Sequence, residues 1–123
     1  MDYSGLENRR KRPRVTEDLK VHINILSSPE DESLTGLEFD CHTKDISFQG
    51  MCLISDIRVN PGLTLELRVQ AGTPAQDFSF TGMVMWCNFK NEAEVYEAGI
   101  QITDLDGIPI GWKKLVIDLI VNS

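Results

Sequence analysis

No stretch of this 123-residue sequence approaches the roughly 18 consecutive apolar residues that a membrane-spanning helix needs, which excludes a helical membrane protein. No apolar leader follows the N-terminal charges, so the reading places the chain in the cytoplasm. Cysteine is scarce: Cys41, Cys52 and Cys87 form an odd set without Cys-x-x-Cys spacing, within strand-like stretches. That argues for reduced, buried thiols rather than a disulfide framework or a zinc site. The two histidines, His22 and His42, stand about twenty residues apart with no second ligand at metal spacing, and read as surface strand positions. The chain also lacks a nucleophile with a neighbouring base, a paired acid set and a Gly-rich phosphate loop ahead of a helix. The expectation is a chain without enzyme activity, metal or cofactor.

Positive charge is scarce too, but unevenly so. The chain has 12 Lys and Arg against 19 Asp and Glu, a formal net charge of −7. Five of the 12, Arg9, Arg10, Lys11, Arg12 and Arg14, fall within six positions. From residue 21 onward six basic residues face fifteen acidic ones, a net −9. Such a body repels a long polyanion within about one Debye length, roughly 8 to 10 Å, while a small anion held by the basic segment alone escapes that penalty.

Hydrophobic residues make up 41% of the chain and their spacing is informative. Up to about residue 16 no periodicity is present, which predicts an arm that is mobile unless something ties it down. Val21, Ile23 and Ile25 then alternate with polar residues, as in a half-buried strand. Leu37, Phe39, Cys41 and Thr43 repeat the pattern, and Met51 to Ile54 form a third short run. After the Asn60-Pro61-Gly62 turn come Leu63, Leu65, Leu67 and Val69. A fifth strand puts Phe78, Phe80, Gly82, Val84 and Trp86 on one face and Met83, Met85 and Cys87 on the other, with both faces at least partly covered; a sixth spans about Glu94 to Thr103. Connections this short exclude helical crossovers, so the pairing is mainly antiparallel, as in a closed or split barrel. Trp112, Leu115, Val116, Leu119 and Ile120 change the period to that of one helix face, with Pro109 near its start, and this stripe is expected to plug one side of the barrel, a partner-binding groove being the alternative. The expected organisation is a basic arm over 1–18, a barrel over 19–107 and a helix over 108–123.

Two short motifs carry chemistry. Arg10-Lys11-Arg12-Pro13-Arg14 has Arg-x-x-x-Arg spacing, and Asp45-Ile46-Ser47-Phe48-Gln49-Gly50 is an Asp-x-Ser-x-x-Gly element between two strands. Each alone is weak, because Asp and Ser before Gly commonly do no more than stabilise a turn. Together, and in this order, they resemble the PilZ domain family, bacterial receptors for the second messenger cyclic di-GMP. The resemblance covers nearly the whole chain. It extends to Arg9-Arg10 at the front of the motif, Pro13 before Arg14, Trp86, and the closing strand Gly99-Ile100-Gln101-Ile102-Thr103-Asp104-Leu105-Asp106, where Ile102 replaces a frequent aromatic residue.

The resemblance implies an all-β fold: a six-stranded antiparallel split barrel with a flanking C-terminal α-helix. It implies that Arg10 and Arg14 grip guanine acceptor edges or phosphate oxygens, since a planar guanidinium meets O6 and N7 bidentately. Asp45 would accept from the guanine N1 and N2 donors, Ser47 would bond phosphate or the exocyclic amine, and Gly50 would let backbone approach the ligand. Trp86 or Gly99 would offer a face against a base, with plain core packing the alternative for Trp86. Arg9 is the position expected to influence whether one ligand or a stacked pair is bound. Ordering the six residues from Arg9 to Arg14 costs on the order of 6 to 12 kcal/mol if they are disordered beforehand. Hydrogen bonds to charged groups return about 1.5 to 3 kcal/mol each, so arm and barrel must grip together. Binding is then an ordering of the arm that alters a surface read by a protein effector. Motility, biofilm, virulence and transcription are all open as the downstream process. Two other readings are a nucleic-acid-binding protein using the arm, which the acidic body disfavours, and a ligand-independent adaptor of the same family.

Overall fold

The structure, a computed structural model, describes residues 14–104 and 107–122. Seven strands form in chain order: β1 Val15–Thr16, β2 Lys20–Ser27, β3 Glu38–Ile46, β4 Gly50–Ser55, β5 Thr64–Ala71, β6 Gln76–Lys90 and β7 Val95–Ile102; helix α1, Ile110–Asn122, follows. All pairings are antiparallel. The sheet order is β1-β3-β2-β5-β6-β7-β4, and a β3–β4 pairing closes strands β2 to β7 into a six-stranded barrel. The two-residue β1 lies outside that ring, sewn onto β3 through Val15 opposite Ile46 and Thr16 opposite Asp45. The unpatterned N-terminal stretch thus ends at Val15, whose side chain is buried in the core.

The inward positions of the alternating strands fill the barrel. Val21, Ile23, Leu65, Leu67, Val69, Val84 and Ile102 are essentially inaccessible, each stabilising the fold by roughly 1.5 to 3 kcal/mol relative to an exposed side chain. Gly62 takes φ +95°, which suits the third position of the Asn60-Pro61-Gly62 turn. Helix α1 covers one opening: Trp112 is fully buried, its ring edge-on to Phe78 and Phe80 at 5.5 and 4.9 Å, and Val116 lies beside it. Leu115, Leu119 and Ile120 pack against the same core.

Two expectations about faces are corrected. In β6 the register against β7 passes from Val84 opposite Ile100 to Trp86 opposite Gly99, so one extra residue, Met85, bulges out. The bulge reverses the alternation. Trp86 leaves the inward row of Phe78, Phe80 and Val84 for the outer surface, and Cys87 turns toward the core. Met83 and Met85 are exposed, so the outer face of this strand is open rather than covered.

Candidate functional site

The Asp-x-Ser-x-x-Gly element begins inside a strand. Asp45 and Ile46 complete β3, where a second bulge lies: Thr43 is opposite Leu53 of β4, but Asp45 is opposite Cys52, leaving Lys44 extra. Simple alternation from Cys41 and Thr43 would point Asp45 into the core; the bulge sends it outward and returns Ile46 to the interior.

Asp45 receives Arg14. The guanidinium Nη1 donates to Asp45 Oδ1 at 2.5 Å, joining residues 31 apart in sequence, with side chains 44% and 24% exposed. This follows from β1: Val15 points into the core, so Arg14 and Thr16 share the outer face, and Thr16 is Asp45's ladder partner. Among the described residues no other hydrogen bond engages either group.

One rung continues from Asp45 around the barrel, through Cys52 of β4 and Gly99 of β7 to Trp86 of β6. At about 4.8 Å per strand it spans roughly 14 Å. The Trp86 indole lies over Gly99, where an added Cβ would come within 2.1 Å of Nε1, and remains 42% exposed. Two expected contact residues therefore meet here, and the glycine has a packing reason to be one. Between the two ends sits Cys52, buried on the outer side; burial, then the negative charges of Asp45 and Glu97, push its thiol up to about 11. Lys44 Nζ donates to both carboxylate oxygens of Glu97 at 3.2 and 3.3 Å, which raises the lysine above its ordinary value.

Ser47 and Gly50 shape the turn that follows. The Ser47 amide and hydroxyl both donate to the Gly50 carbonyl, at 2.9 and 3.2 Å, and the side chain is buried. Gly50 lies so close to β7 that a Cβ would stand 2.5 Å from the Ile100 carbonyl oxygen. The Trp112 indole N–H donates to the Ser47 carbonyl at 3.3 Å, so helix α1 holds the turn from within. Sequence reasoning gave Trp112 only a packing role, and nothing in its helical spacing signals this bond. Arg9 and Arg10 lie outside the described residues. Among the described residues no cluster of His, Cys, Asp or Glu is placed to hold a metal ion, and no helix is long and apolar enough to cross a membrane.

A family model for the PilZ domain matches residues 8–120, which takes in both motifs, the barrel and most of α1. The chain belongs to the PilZ domain family. Among solved structures, this PilZ domain is similar to the Bacillus subtilis inhibitor of motility (MotI/DgrA), with TM-score 0.70 and 18% identity over 93% of this chain and 51% of that one. The chain thus spans about half the length of the Bacillus protein. It is also similar to the PilZ domain with c-di-GMP of YcgR from Escherichia coli, with TM-score 0.64 and 12% identity over 93% of each chain. At these identities the likeness establishes the PilZ fold. No curated protein matches the chain.

Proposed function

We propose that this PilZ domain binds cyclic di-GMP on the outer face of the rung from Asp45 to Trp86, and that binding changes a surface offered to a protein effector. The observation that carries the reading is the Arg14–Asp45 contact, which unites the end of the Arg-x-x-x-Arg motif with the start of Asp-x-Ser-x-x-Gly. The YcgR neighbour, whose structure contains c-di-GMP, supports the same reading.

The pair is suited to exchange partners. An exposed ion pair contributes about 0 to 1 kcal/mol, so opening it for a ligand costs little. Arg14 uses one of its five N–H donors on Asp45, leaving a fork for guanine O6 and N7 or a phosphate oxygen. Asp45 Oδ2 accepts from the guanine N1 and N2 donors. The open face of Trp86 stacks on a base, and Arg9 and Arg10 add guanidinium groups to the phosphates. For Ser47 to donate to a phosphate, its hydroxyl must leave the long bond to Gly50; toward the exocyclic amine the same oxygen accepts with that bond in place.

Calorimetric titration with cyclic di-GMP tests the proposal. Wild type binds, and Arg14→Ala and Asp45→Ala each lose about a hundredfold or more, since two charge-assisted bonds at about 1.5 to 3 kcal/mol apiece disappear. No heat from wild type, or full affinity in both folded variants, refutes it.

A further inference from the structure

The segment bearing Arg14 is held to the barrel at one interrupted place. Along one flank of β3, β2 pairs as far as Lys20 opposite His42, and β1 pairs from Thr16 opposite Asp45. Between them Glu17, Asp18 and Leu19 span only Thr43 and Lys44, so the ladder cannot run through. Two backbone bonds survive at the margins, Glu17 N–H to Lys44 C=O at 3.2 Å and Thr43 N–H to Leu19 C=O at 2.9 Å.

On the outer face Asp18 Oδ1 reaches His42 Nδ1 at 3.1 Å, an exposed contact; on the inner face the gap is closed by one buried side chain. Thr43 is 2% exposed on the inner face of β3. Its hydroxyl accepts from the Leu19 amide at 2.8 Å and donates to the Glu17 carbonyl. A threonine hydroxyl can do both at once, while valine of the same shape can do neither. Thr43 also sits at the start of the bulge that turns Asp45 outward. One residue therefore bonds the segment that follows Arg14 and stands at the bulge that precedes Asp45.

We infer that Thr43 is a positioning residue for the ligand site, its hydroxyl tethering residues 17–19 so that Arg14 is presented to Asp45 before ligand arrives. The inference rests on the cyclic di-GMP reading above. Its logic is preorganisation: with the tether in place, less chain has to be ordered at the moment of binding.

The test compares Thr43→Val, which keeps shape and strand preference, with Thr43→Ser, which keeps the hydroxyl. By calorimetry with cyclic di-GMP, Thr43→Val binds about tenfold more weakly than wild type, and Thr43→Ser recovers most of the loss. Added to Arg14→Ala, Thr43→Val costs less than it does alone, because the nearest residue it positions is gone. Without ligand, the Leu19 amide exchanges with solvent about tenfold faster in Thr43→Val, showing the tether independently of binding. Wild-type affinity in Thr43→Val, or losses that simply add to those of Arg14→Ala, overturns the inference alone. Absence of binding by wild type overturns the ligand reading and this role with it, even where the exchange data show the tether.

Discussion

Gly50 and Gly99 both sit where a methyl group has no room, yet the obstacle differs, and so should the consequence of Gly50→Ala and Gly99→Ala. At Gly50 the new Cβ meets the backbone oxygen of Ile100 at 2.5 Å. Relief requires β4 and β7 to separate along their ladder, and overpacking of this kind costs about 1 to 3 kcal/mol. For a chain of this length each kcal/mol moves the melting temperature by roughly 3 to 6 °C, so Gly50→Ala melts roughly 3 to 18 °C below wild type. At Gly99 the obstacle is the half-exposed Trp86 indole, which can swing into solvent. Lifting a quarter of the roughly 200 Å² an aromatic side chain buries costs about 1.3 kcal/mol at 25 cal/mol per Å². Replacing glycine within a strand returns about 0.5 to 1 kcal/mol, so the net loss is about 0.5 kcal/mol, a shift of about 2 to 3 °C. Thermal unfolding followed by circular dichroism separates the two. Tryptophan emission supplies the second readout: Trp112 is fully buried, so a red shift with greater acrylamide quenching in Gly99→Ala reports Trp86 leaving the sheet. Equal melting temperatures for the two variants, or unchanged emission in Gly99→Ala, would refute the reasoning.

Two further outcomes follow from charge and burial. His22 bonds Glu38 through Nε2 at 2.7 Å and Asp40 through Nδ1 at 2.8 Å, and these two carboxylates raise it above 6.5 while Asp40 falls below its ordinary value. Its stabilisation is therefore complete below the unfolded value and lost as pH rises through the folded one, so the melting-temperature gap between wild type and His22→Gln is widest near about pH 5.5 and narrows by about pH 9; a constant gap contradicts this. Burial pushes Cys41 to about 12 and Cys52 to about 11, so a thiol reagent at neutral pH modifies at most Cys87 quickly in the native protein. More than one fast thiol counts against the assignment.

The strands were legible because one buried face imposes a period of two, and α1 because Trp112 and Val116 recur at helical spacing. The bulges were not legible. At Lys44 and Met85 one inserted residue reverses the alternation, and no local residue type distinguishes that from an unbroken strand. Both reversals deliver site candidates to the surface: Asp45, read as part of an element between two strands, and Trp86, read on the same face as Phe78, Phe80 and Val84. Gly50 and Ser47 were legible as a motif, but their close approach to Ile100 and bond to Trp112 join parts of the chain far apart in sequence. Thr43 looked like any inward strand residue, since its two bonds depend on where Glu17 and Leu19 cross β3.

The rung from Asp45 to Trp86 crosses the β4–β7 pairing, and this decides when a growing chain completes it. β3 and β4 are joined by a short turn and pair early, but β4 meets β7 only through residues about fifty apart in sequence, a closure whose entropy must be met before its contacts form. Until residues 95–102 have been synthesised, β4 beside Asp45 is a free edge, with neither Gly99 nor a supported Trp86 beyond it. The rung of Asp45, Cys52, Gly99 and Trp86 is thus complete only with the last strand, so a chain cut before residue 95 lacks the face on which the proposed ligand would rest.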